Sequence, residues 1–520
     1  MRNCEEPAER ALPSPVGQPW WRELTRYHWF VFVVAALGWL FDCLDQQLFV
    51  LARPAAMKEL LPPLEDPREF AEQVKIYGNY ATSVFLAGWA IGGLLFGVLG
   101  DRIGRAKTMM LTILLYSVCT GLSALSKGFW DFALYRFLTG LGVGGEFAVG
   151  VALVAEVMPV RARPHTLALL QALSSVGNVA AALINMGLGV AESEGLVSSP
   201  WRIMFLIGAL PALLVLVIRR RLKEPERWER AALEGVVQRE RGSYAALFHH
   251  PTWRRHALVG LALACAGVIG LWAVGFFTPD LMRAVQRQGV AGRVYAEQIQ
   301  LAQQQGDAER VEQLETLRGR TQASGRPAPN AGPAPNAASE GPASHEQLAR
   351  LQSQLEAMIN GRLAIWAGVT MITMYAGGFL GMFAYGWVAE RIGRRRALAI
   401  SFVAAFGSTV SVFLFLDHFH DLFWLVPLMG FCQFSLFAGY AVYFPELFPT
   451  HLRSTGISFC YNVGRLLAAT GPLVQAELLK LFAGTDESLR YAGATMSAVF
   501  LLGLLVLPWA PETKGKPLPE

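Results

Sequence analysis

Long apolar stretches limit what this chain can fold into more than any other feature of its sequence. A helix that crosses a bilayer needs about 20 predominantly apolar residues. Twelve stretches of the 520-residue chain approach or exceed that length, with approximate limits of 28–51, 78–99, 107–125, 130–157, 165–190, 201–218, 256–278, 363–389, 397–416, 422–444, 454–481 and 490–509. The sequence therefore predicts an all-α membrane protein with twelve transmembrane helices, numbered here as spans one to twelve.

Composition excludes several other classes of protein. Hydrophobic residues make up 53% of the chain and charged residues 16%, whereas soluble domains have about 25% charged residues. The net charge of +5 is too small to indicate a nucleic-acid-binding protein. The six cysteines are far apart and have neither disulfide-scaffold nor metal-ligand spacing. No phosphate-binding loop or catalytic triad pattern occurs, so we expect no ATP, no cofactor, no metal and no enzyme activity.

Basic residues are concentrated in the loops on one side of the predicted spans. They follow spans two, four, six and eight: Arg102, Arg105, Lys107, Arg161, Arg163, ten residues from Arg219 to Arg255, Arg391, Arg394, Arg395 and Arg396. Because basic loops stay inside, we expect both termini in the cytoplasm of a cell that carries the protein in its plasma or bacterial inner membrane. The first apolar stretch is too long for a cleaved signal peptide, so we expect it to remain as an anchor.

Two motifs occur twice in the chain at nearly the same offset. The sequence from Gly97 to Arg105 recurs from Gly386 to Arg394, and Glu156-x-x-Pro-x-x-x-Arg163 recurs as Glu446-x-x-Pro-x-x-x-Arg453. The repeat predicts two pseudo-symmetric six-helix halves. The predicted organisation is a cytoplasmic tail (1–27), an N-terminal half (28–218), a cytoplasmic central loop (219–255), a C-terminal half (256–510) with an outside insertion (283–361), and a cytoplasmic tail (511–520).

These motifs carry a family resemblance. The Asp101-Arg102-x-Gly104-Arg105 turn and its repeat resemble the loop signature of the major facilitator superfamily, and the segments 136–146, 224–228 and 511–516 resemble further motifs of its members. The resemblance implies transport by alternating access around a central cavity, with a cytoplasmic latch as the gating motif. The latch residues implied are Gly97, Asp101, Arg102, Gly104, Arg105, Glu390, Arg391, Gly393 and Arg394. The alternative is that the arginines only fix the topology of these loops.

Four ionisable residues within the spans are candidates for proton coupling, because a charge inside a membrane is costly. Asp42 and Asp45 are three residues apart on one helix face, where two carboxylates do not ionise easily together. Arg136 and Glu146 lie in span four. The Asp-x-x-Asp step is similar to span one of organic-acid symporters, and the resemblance to sugar porters implies an Asp42–Arg136 pair. The alternative is a static structural role for these groups.

Polar residues in three other spans are candidates for substrate binding. Arg465 in span eleven shares a helix face with Tyr461 and Asn462, and its planar fork suits a carboxylate. Spans five and ten add further polar groups: Gln171, Asn178, Gln433 and Tyr440. For Arg465 the alternative is neutralisation of Asp42 or Asp45 without substrate contact, and for the amides it is packing between helices.

The insertion at 283–361 contains two segments with helical patterns, 294–320 and 345–361, separated by a Pro/Ala/Gly/Asn-rich stretch at 323–344. A helical hairpin and a disordered loop are both compatible with this pattern. The whole sequence favours proton-coupled uptake of a small organic acid, with partners limited to the substrate, protons and membrane lipid, and nothing implies an oligomer. The alternatives are a sugar or polyol symporter, proton-driven efflux of a drug or metabolite, and a receptor that binds without transport.

Overall fold

A computed structural model of the chain describes residues 19–193, 196–233, 240–324, 342–468, 470–482, 485 and 487–520. Within these residues α-helices and short 3-10 turns are the regular structure, and no strand occurs. The α-helices are α1 (Arg26–Leu60), α2 (Pro67–Ile103), α3 (Arg105–Ser123), α4 (Phe129–Val157), α5 (Arg163–Ser193), α6 (Pro200–Gly208), α7 (Ala212–Arg221), α8 (Glu226–Leu233), α9 (Tyr244–His249), α10 (Pro251–Ala273), α11 (Thr278–Gln305), α12 (Ala308–Ser324), α13 (Pro342–Ile392), α14 (Arg394–Phe415), α15 (Leu422–Leu447), α16 (Arg453–Ala468), α17 (Gly471–Leu481), α18 (Ser488–Met496) and α19 (Val499–Val506).

The described helices account for all twelve predicted spans. Ten helical segments are long and apolar enough to cross a bilayer. The two remaining spans are each split into two shorter helices, α6 with α7 and α16 with α17, and the twelfth span is divided between α18 and α19. A proline lies at each of the first two interruptions, since Pro211 precedes α7 and a proline occupies the first turn of α17. Proline fits the start of a helix but removes a backbone donor from its interior, which explains both breaks.

Glycines allow the helices of each half to approach closely. In the N-terminal half α2 packs along α4, and a Cβ added at Gly140 would lie 2.9 Å from the backbone nitrogen of Trp89. A Cβ at Gly144 would lie 2.5 Å from the backbone nitrogen of Gly93. Real Cβ atoms do not approach backbone this closely, so the small residues of α4 set the distance to α2. The two halves meet where α2 packs on α16 and where α5 packs on α13.

The described part of the insertion is helical. The segment predicted as one helix at 294–320 is two helices, because α11 ends at Gly306, which has a left-handed φ of 73°. α11, α12 and the first part of α13 enclose a separate apolar cluster that includes Val294, Leu314 and Leu355. The described residues thus favour the helical alternative, whereas 325–341, most of the predicted Pro/Ala/Gly/Asn-rich stretch, lies outside them.

Candidate functional site

The turns after α2, α4, α13 and α15 form one end of the bundle, called the basic end here. Asp101, in the last turn of α2, accepts hydrogen bonds from the backbone nitrogens of Ser454 at 3.1 Å and Thr455 at 2.8 Å. The Thr455 hydroxyl donates to the same carboxylate at 2.6 Å. A carboxylate is favoured at a helix N-terminus, where backbone N–H groups are unpaired. Asp101 of the N-terminal half therefore caps α16 of the C-terminal half.

A buried carboxylate adds a second connection between the halves at this end. Glu156 Oε1 lies 2.8 Å from Arg105 Nη2 in its own half and 2.6 Å from Arg453 Nη1 in the other. The side chains of all three residues are fully buried. Arg105 also donates to the Thr450 carbonyl oxygen at 2.6 Å and lies 3.1 Å from Asp101. The basic end is closed by these contacts.

The second repeat produces a related but different junction. Glu446, which corresponds to Glu156, pairs with Arg394 at 2.8 Å within the C-terminal half. Arg163, which corresponds to Arg453, donates to the carbonyl oxygen of Ala155 at 2.8 Å. The contact across the halves is instead made by Glu390, whose Oε2 lies 2.6 Å from His165 Nε2. At both junctions the acid of the repeated turn, Asp101 or Glu390, thus contacts the opposite half, whereas of the second pair of acids Glu156 makes an ion pair across the halves and Glu446 makes its ion pair within one half.

Matching turns support both junctions. Gly104 and Gly393 have φ values of 112° and 95°, which favour glycine, and each precedes a helix. Glu224 accepts from the backbone nitrogens at the start of α3, and Glu512 accepts from those of Arg394 and Arg395 at 2.9 and 3.1 Å. Burial acts to raise the pKa of Glu512, but these backbone donors outweigh it, and the pKa lies below its usual value.

Two arginines predicted for the latch have other contacts. Arg102 Nε donates to the carbonyl oxygen of Arg241 at 3.2 Å. The guanidinium of Arg391 lies 4.3 Å from the ring centre of Trp387 in its own helix. The latch itself stays a prediction, and Asp101, Arg105, Glu390 and Arg394 are the members that the structure places in ionic or hydrogen-bonded contacts at the junctions.

Arg136 is paired with Asp45 rather than with Asp42, so the expected Asp42–Arg136 pair is wrong for this conformation. Arg136 Nη1 lies 3.8 Å from Asp45 Oδ2, and both side chains are fully buried. The Arg136 guanidinium also donates to Ser123 Oγ at 2.7 Å, and the Thr120 hydroxyl donates to Asp45 at 2.7 Å. The residues of this cluster all belong to the N-terminal half. The spacing within span one was not enough to show which of the two aspartates faces Arg136.

Asp42 is fully buried, and among the described residues neither of its carboxylate oxygens makes a close hydrogen bond, although the Gln46 side chain one turn along α1 lies near enough to interact with the carboxylate. Its charged neighbours are Glu146 of α4, Arg465 of α16 and Asp45. Glu146 accepts a hydrogen bond from the Thr112 hydroxyl at 2.7 Å through one oxygen, while its other oxygen has no partner in the described part of the chain. Two acids with unused acceptor capacity therefore lie together, and Asp42 also has an arginine as a neighbour.

Arg465 is held mainly through the faces of its guanidinium. The carbon at its centre lies 4.0 Å from the ring centre of Trp89 and 4.3 Å from that of Tyr461. Nη2 donates to the Tyr461 hydroxyl at 3.1 Å, while Nε and Nη1 have no hydrogen-bond partner among the described residues. Phe147 stacks on Tyr461 with ring centres 4.0 Å apart. Arg465 thus has unpaired donors inside an aromatic setting built by both halves.

Several predicted substrate-binding residues are occupied by packing interactions. Asn462 Nδ2 donates to the carbonyl oxygen of Ser458 at 3.1 Å, Tyr440 donates to that of Leu263 at 2.7 Å, and Gln433 donates to Thr409 at 2.7 Å.

The two candidates in span five differ in exposure. Gln171 is buried with an unpartnered Oε1, and Asn178 is half-buried. The structure therefore brings together Asp42, Glu146, Tyr461 and Arg465 and leaves Gln433 and Tyr440 in packing contacts of the C-terminal half.

Several residues at these sites had no predicted role, among them Glu156, Arg453 and Trp89. Glu156 and Arg453 belong to the repeated motif, and their charge inside a mostly apolar region was a usable signal. Trp89 gave no such signal, because a lone aromatic residue in an apolar span is ordinary core composition.

Comparison with known proteins agrees with the repeated turns and the two junctions. The sequence pattern of the Major Facilitator Superfamily matches residues 29–296 and 354–520. The chain belongs to the Major Facilitator Superfamily. The segment between the two matched ranges, 297–353, falls within the insertion. The protein is thus a multi-pass membrane transporter of small molecules and not an enzyme.

Relatives of this superfamily member span nearly its whole length. A probable 4-methylmuconolactone transporter of Cupriavidus pinatubonensis is 28% identical over 484 residues, 92% of this chain and 89% of that protein. A niacin transporter of Acinetobacter baylyi is 24% identical over 494 residues, 95% of this chain and 96% of that protein. Among solved structures, a proton:xylose symporter bound to 6-bromo-6-deoxy-D-glucose superposes with a TM-score of 0.59 over 95% of this chain and 98% of the symporter, at 16% identity. This last likeness shows the fold alone.

Proposed function

We propose that this transporter takes up a small organic acid together with protons. The observation that carries the proposal is the buried group of Arg465, Asp42 and Glu146, in which Asp42 has as charged neighbours an arginine with two unpaired nitrogens and a second acid with an unpaired oxygen. Arginine pairs with carboxylates through parallel charge-assisted hydrogen bonds. A substrate carboxylate at the free donors of Arg465 would satisfy groups that the protein itself leaves unpaired.

The relatives support a carboxylate substrate. Niacin, named for one relative, is a pyridine carboxylic acid, and the other relative is named for 4-methylmuconolactone. The aromatic rings beside Arg465 suit an unsaturated or aromatic acid, because flat apolar groups stack on such rings. A sugar has no group that needs the charge of Arg465, which favours the organic acid over the sugar alternative.

Proton coupling follows from the unpaired state of Asp42. An isolated carboxylate is too costly to bury, so such a group takes up a proton or gains a counter-charge. Arg465 is the positively charged neighbour of Asp42, and a substrate carboxylate competes with Asp42 for this charge. We expect substrate binding at Arg465 to leave Asp42 or Glu146 protonated. A proton then enters with each substrate molecule.

Alternating access requires a gate that opens and closes at each end of the bundle. The contacts of Asp101 and Glu156 close the basic end. Because basic loops stay inside, we expect that end and both termini to lie in the cytoplasm of a cell that carries the protein in its plasma or bacterial inner membrane. On this orientation the structure represents a state closed toward the cytoplasm, and the protein acts as a monomer that needs only substrate, protons and lipid.

The test is uptake into proteoliposomes. Labelled benzoate, nicotinate and muconate should accumulate when protons are more concentrated outside, whereas xylose should not. Asp42→Asn should abolish accumulation but spare exchange of substrate across the membrane. Xylose uptake without carboxylate uptake would contradict the proposal.

An arginine substitution localises the binding step. Arg465→Lys keeps the charge but removes the planar fork, and loss of a charge-assisted hydrogen bond should weaken carboxylate binding about tenfold or more. Arg230→Lys is the control, because that side chain is 72% exposed and makes an ionic contact with Glu226 in the same helix. Equal carboxylate affinity in the two variants would show that Arg465 has a structural role and does not bind the substrate.

A further inference from the structure

We infer that Trp89 is a positioning residue for Arg465, and that it orients this arginine only while the basic end is closed. The inference rests on the proposed carboxylate site. Trp89 belongs to α2 of the N-terminal half and is 4% exposed, whereas Arg465 belongs to α16 of the C-terminal half. The indole ring lies over the guanidinium at 4.0 Å, so the arginine is oriented by the half of the protein to which it does not belong.

A comparison with the buried Arg105 shows why Arg465 needs such support. Arg105 uses its guanidinium edges on Glu156, Gly100 and Thr450. Those hydrogen bonds fix the side chain but leave little for a ligand.

Arg465 has the opposite arrangement. Its faces are covered by Trp89 and Tyr461, and within the part of the chain that the structure describes its one hydrogen bond runs from Nη2 to the Tyr461 hydroxyl. Stacking can orient a planar cation without occupying its donors. The rings thus take over the orienting role that hydrogen bonds have in Arg105, and the donors stay available for a carboxylate.

The contact between Trp89 and Arg465 is the last in a row of contacts between α2 and α16 that starts at the basic end. Asp101 accepts a hydrogen bond from Thr455. Four residues earlier in α2 is Gly97, where an added Cβ would lie 2.5 Å from the Cβ of Ser458. One helical turn further, Gly93 lies against Asn462, and its carbonyl oxygen accepts from the Ser458 hydroxyl. Trp89 and Arg465 follow at the same spacing. The α2 residues 89, 93, 97 and 101 are four apart and share one helix face.

This row makes the site dependent on the gate. Opening of the basic end must separate α2 from α16, starting at Asp101 and proceeding toward Trp89. Arg465 then loses the indole, and Tyr461 loses the stacking ring of Phe147, which also belongs to the N-terminal half. The carboxylate site is therefore well ordered when the basic end is closed and loosened when it opens, which promotes release on that side.

The experiment uses purified full-length protein and measures equilibrium binding of benzoate, nicotinate and nicotinamide by calorimetry. Trp89→Leu and Trp89→Met should weaken carboxylate binding about tenfold, in line with a desolvated cation–π contact. Trp89→Phe, which keeps a ring face, should restore most of the affinity. Binding of the uncharged nicotinamide should change less than twofold, since it does not need the oriented charge. Trp130→Leu is the control, because Trp130 is 81% exposed.

The outcomes separate this inference from the proposed function. If the wild type binds carboxylates and Arg465→Lys does not, but both Trp89→Leu and Trp89→Met bind like the wild type, the positioning role is refuted. Equal losses for the acid and the amide would also refute it, since they would indicate a general packing defect. If the wild type binds no carboxylate at all, the proposed function fails and the inference falls with it. Thermal melting of each variant confirms that it is folded.

Discussion

The connection between Glu156 and Arg453 gives the sharpest test of the closed basic end. Glu156→Gln removes the buried charge that pairs with Arg453 across the halves at 2.6 Å and with Arg105 at 2.8 Å. Arg105 retains Asp101 at 3.1 Å, whereas the other hydrogen bonds of Arg453 within the described residues go to neutral oxygens of Pro445, Thr450 and Pro519. The substitution therefore leaves a buried cation without a matching anion.

The expected magnitude follows from that uncompensated charge. Removal of one partner from a buried ion pair costs about 3–5 kcal/mol, and the lower value applies because Arg105 keeps Asp101. The Arg453 contact exists only while the halves touch, so the cost falls on the closed state. At about 1.4 kcal/mol for each factor of ten, roughly 3 kcal/mol shifts the equilibrium about 100-fold toward an open basic end.

The shift can be read from the reactivity of a cysteine placed in the gate. Ser454 is fully buried at this junction, and Ser454→Cys serves as the reporter in a background whose six native cysteines are replaced by serine. Glu156→Gln should raise the rate of labelling by a soluble thiol reagent by one to two orders of magnitude. It should also weaken carboxylate binding, because the row that ends at Trp89 opens from this end.

The pseudo-symmetric carboxylate provides the control. Glu446 pairs with Arg394 at 2.8 Å inside one half, so Glu446→Gln should lower the thermal stability without exposing the reporter. Equal labelling rates in Glu156→Gln and Glu446→Gln would show that the contact between the halves does not hold the gate, and would refute the reasoning.

Two further substitutions test the packing and the capped turn. Gly144→Val should prevent stable folding, because its Cβ would meet the backbone of α2. Gly150→Ala should be neutral, since nothing lies within 4 Å of a Cβ at that position. Size-exclusion profiles of the purified variants distinguish the two outcomes. Glu512→Gln should lower stability at pH 7 by about 1 kcal/mol, as loss of a helix cap does. The pKa of Glu512 in the folded protein lies below the ordinary 4.5. The difference in stability between Glu512→Gln and wild type should therefore be complete above pH 4.5 and disappear as the pH falls further. The control is Glu226→Gln, a substitution at an exposed residue, which should match wild type in melting curves at every pH.

The sequence predicted the architecture well because its signals are local and strong. Twelve apolar stretches and the repeated turns depend on length, hydropathy and spacing, which a bilayer makes almost obligatory. The close approach of helices at the glycines of α4 and the helix breaks at the prolines of the sixth and eleventh spans likewise follow from backbone chemistry. The insertion was less clear, because its polar helices are stabilised by a small cluster of their own that no short-range pattern reveals.

What the sequence by itself determined is therefore the number of spans, the two halves and a short set of charged residues inside them. Only the tertiary structure decided how those charges are shared. It assigned Arg136 to Asp45, left Asp42 beside Glu146 and Arg465, and made Glu156 rather than Glu446 the link between the halves. It also placed Trp89 over Arg465. The reason is physical: helix periodicity fixes the face on which a side chain lies, but the partner across that face depends on how separate helices pack, and side-chain pairing over a few ångströms is set by that packing.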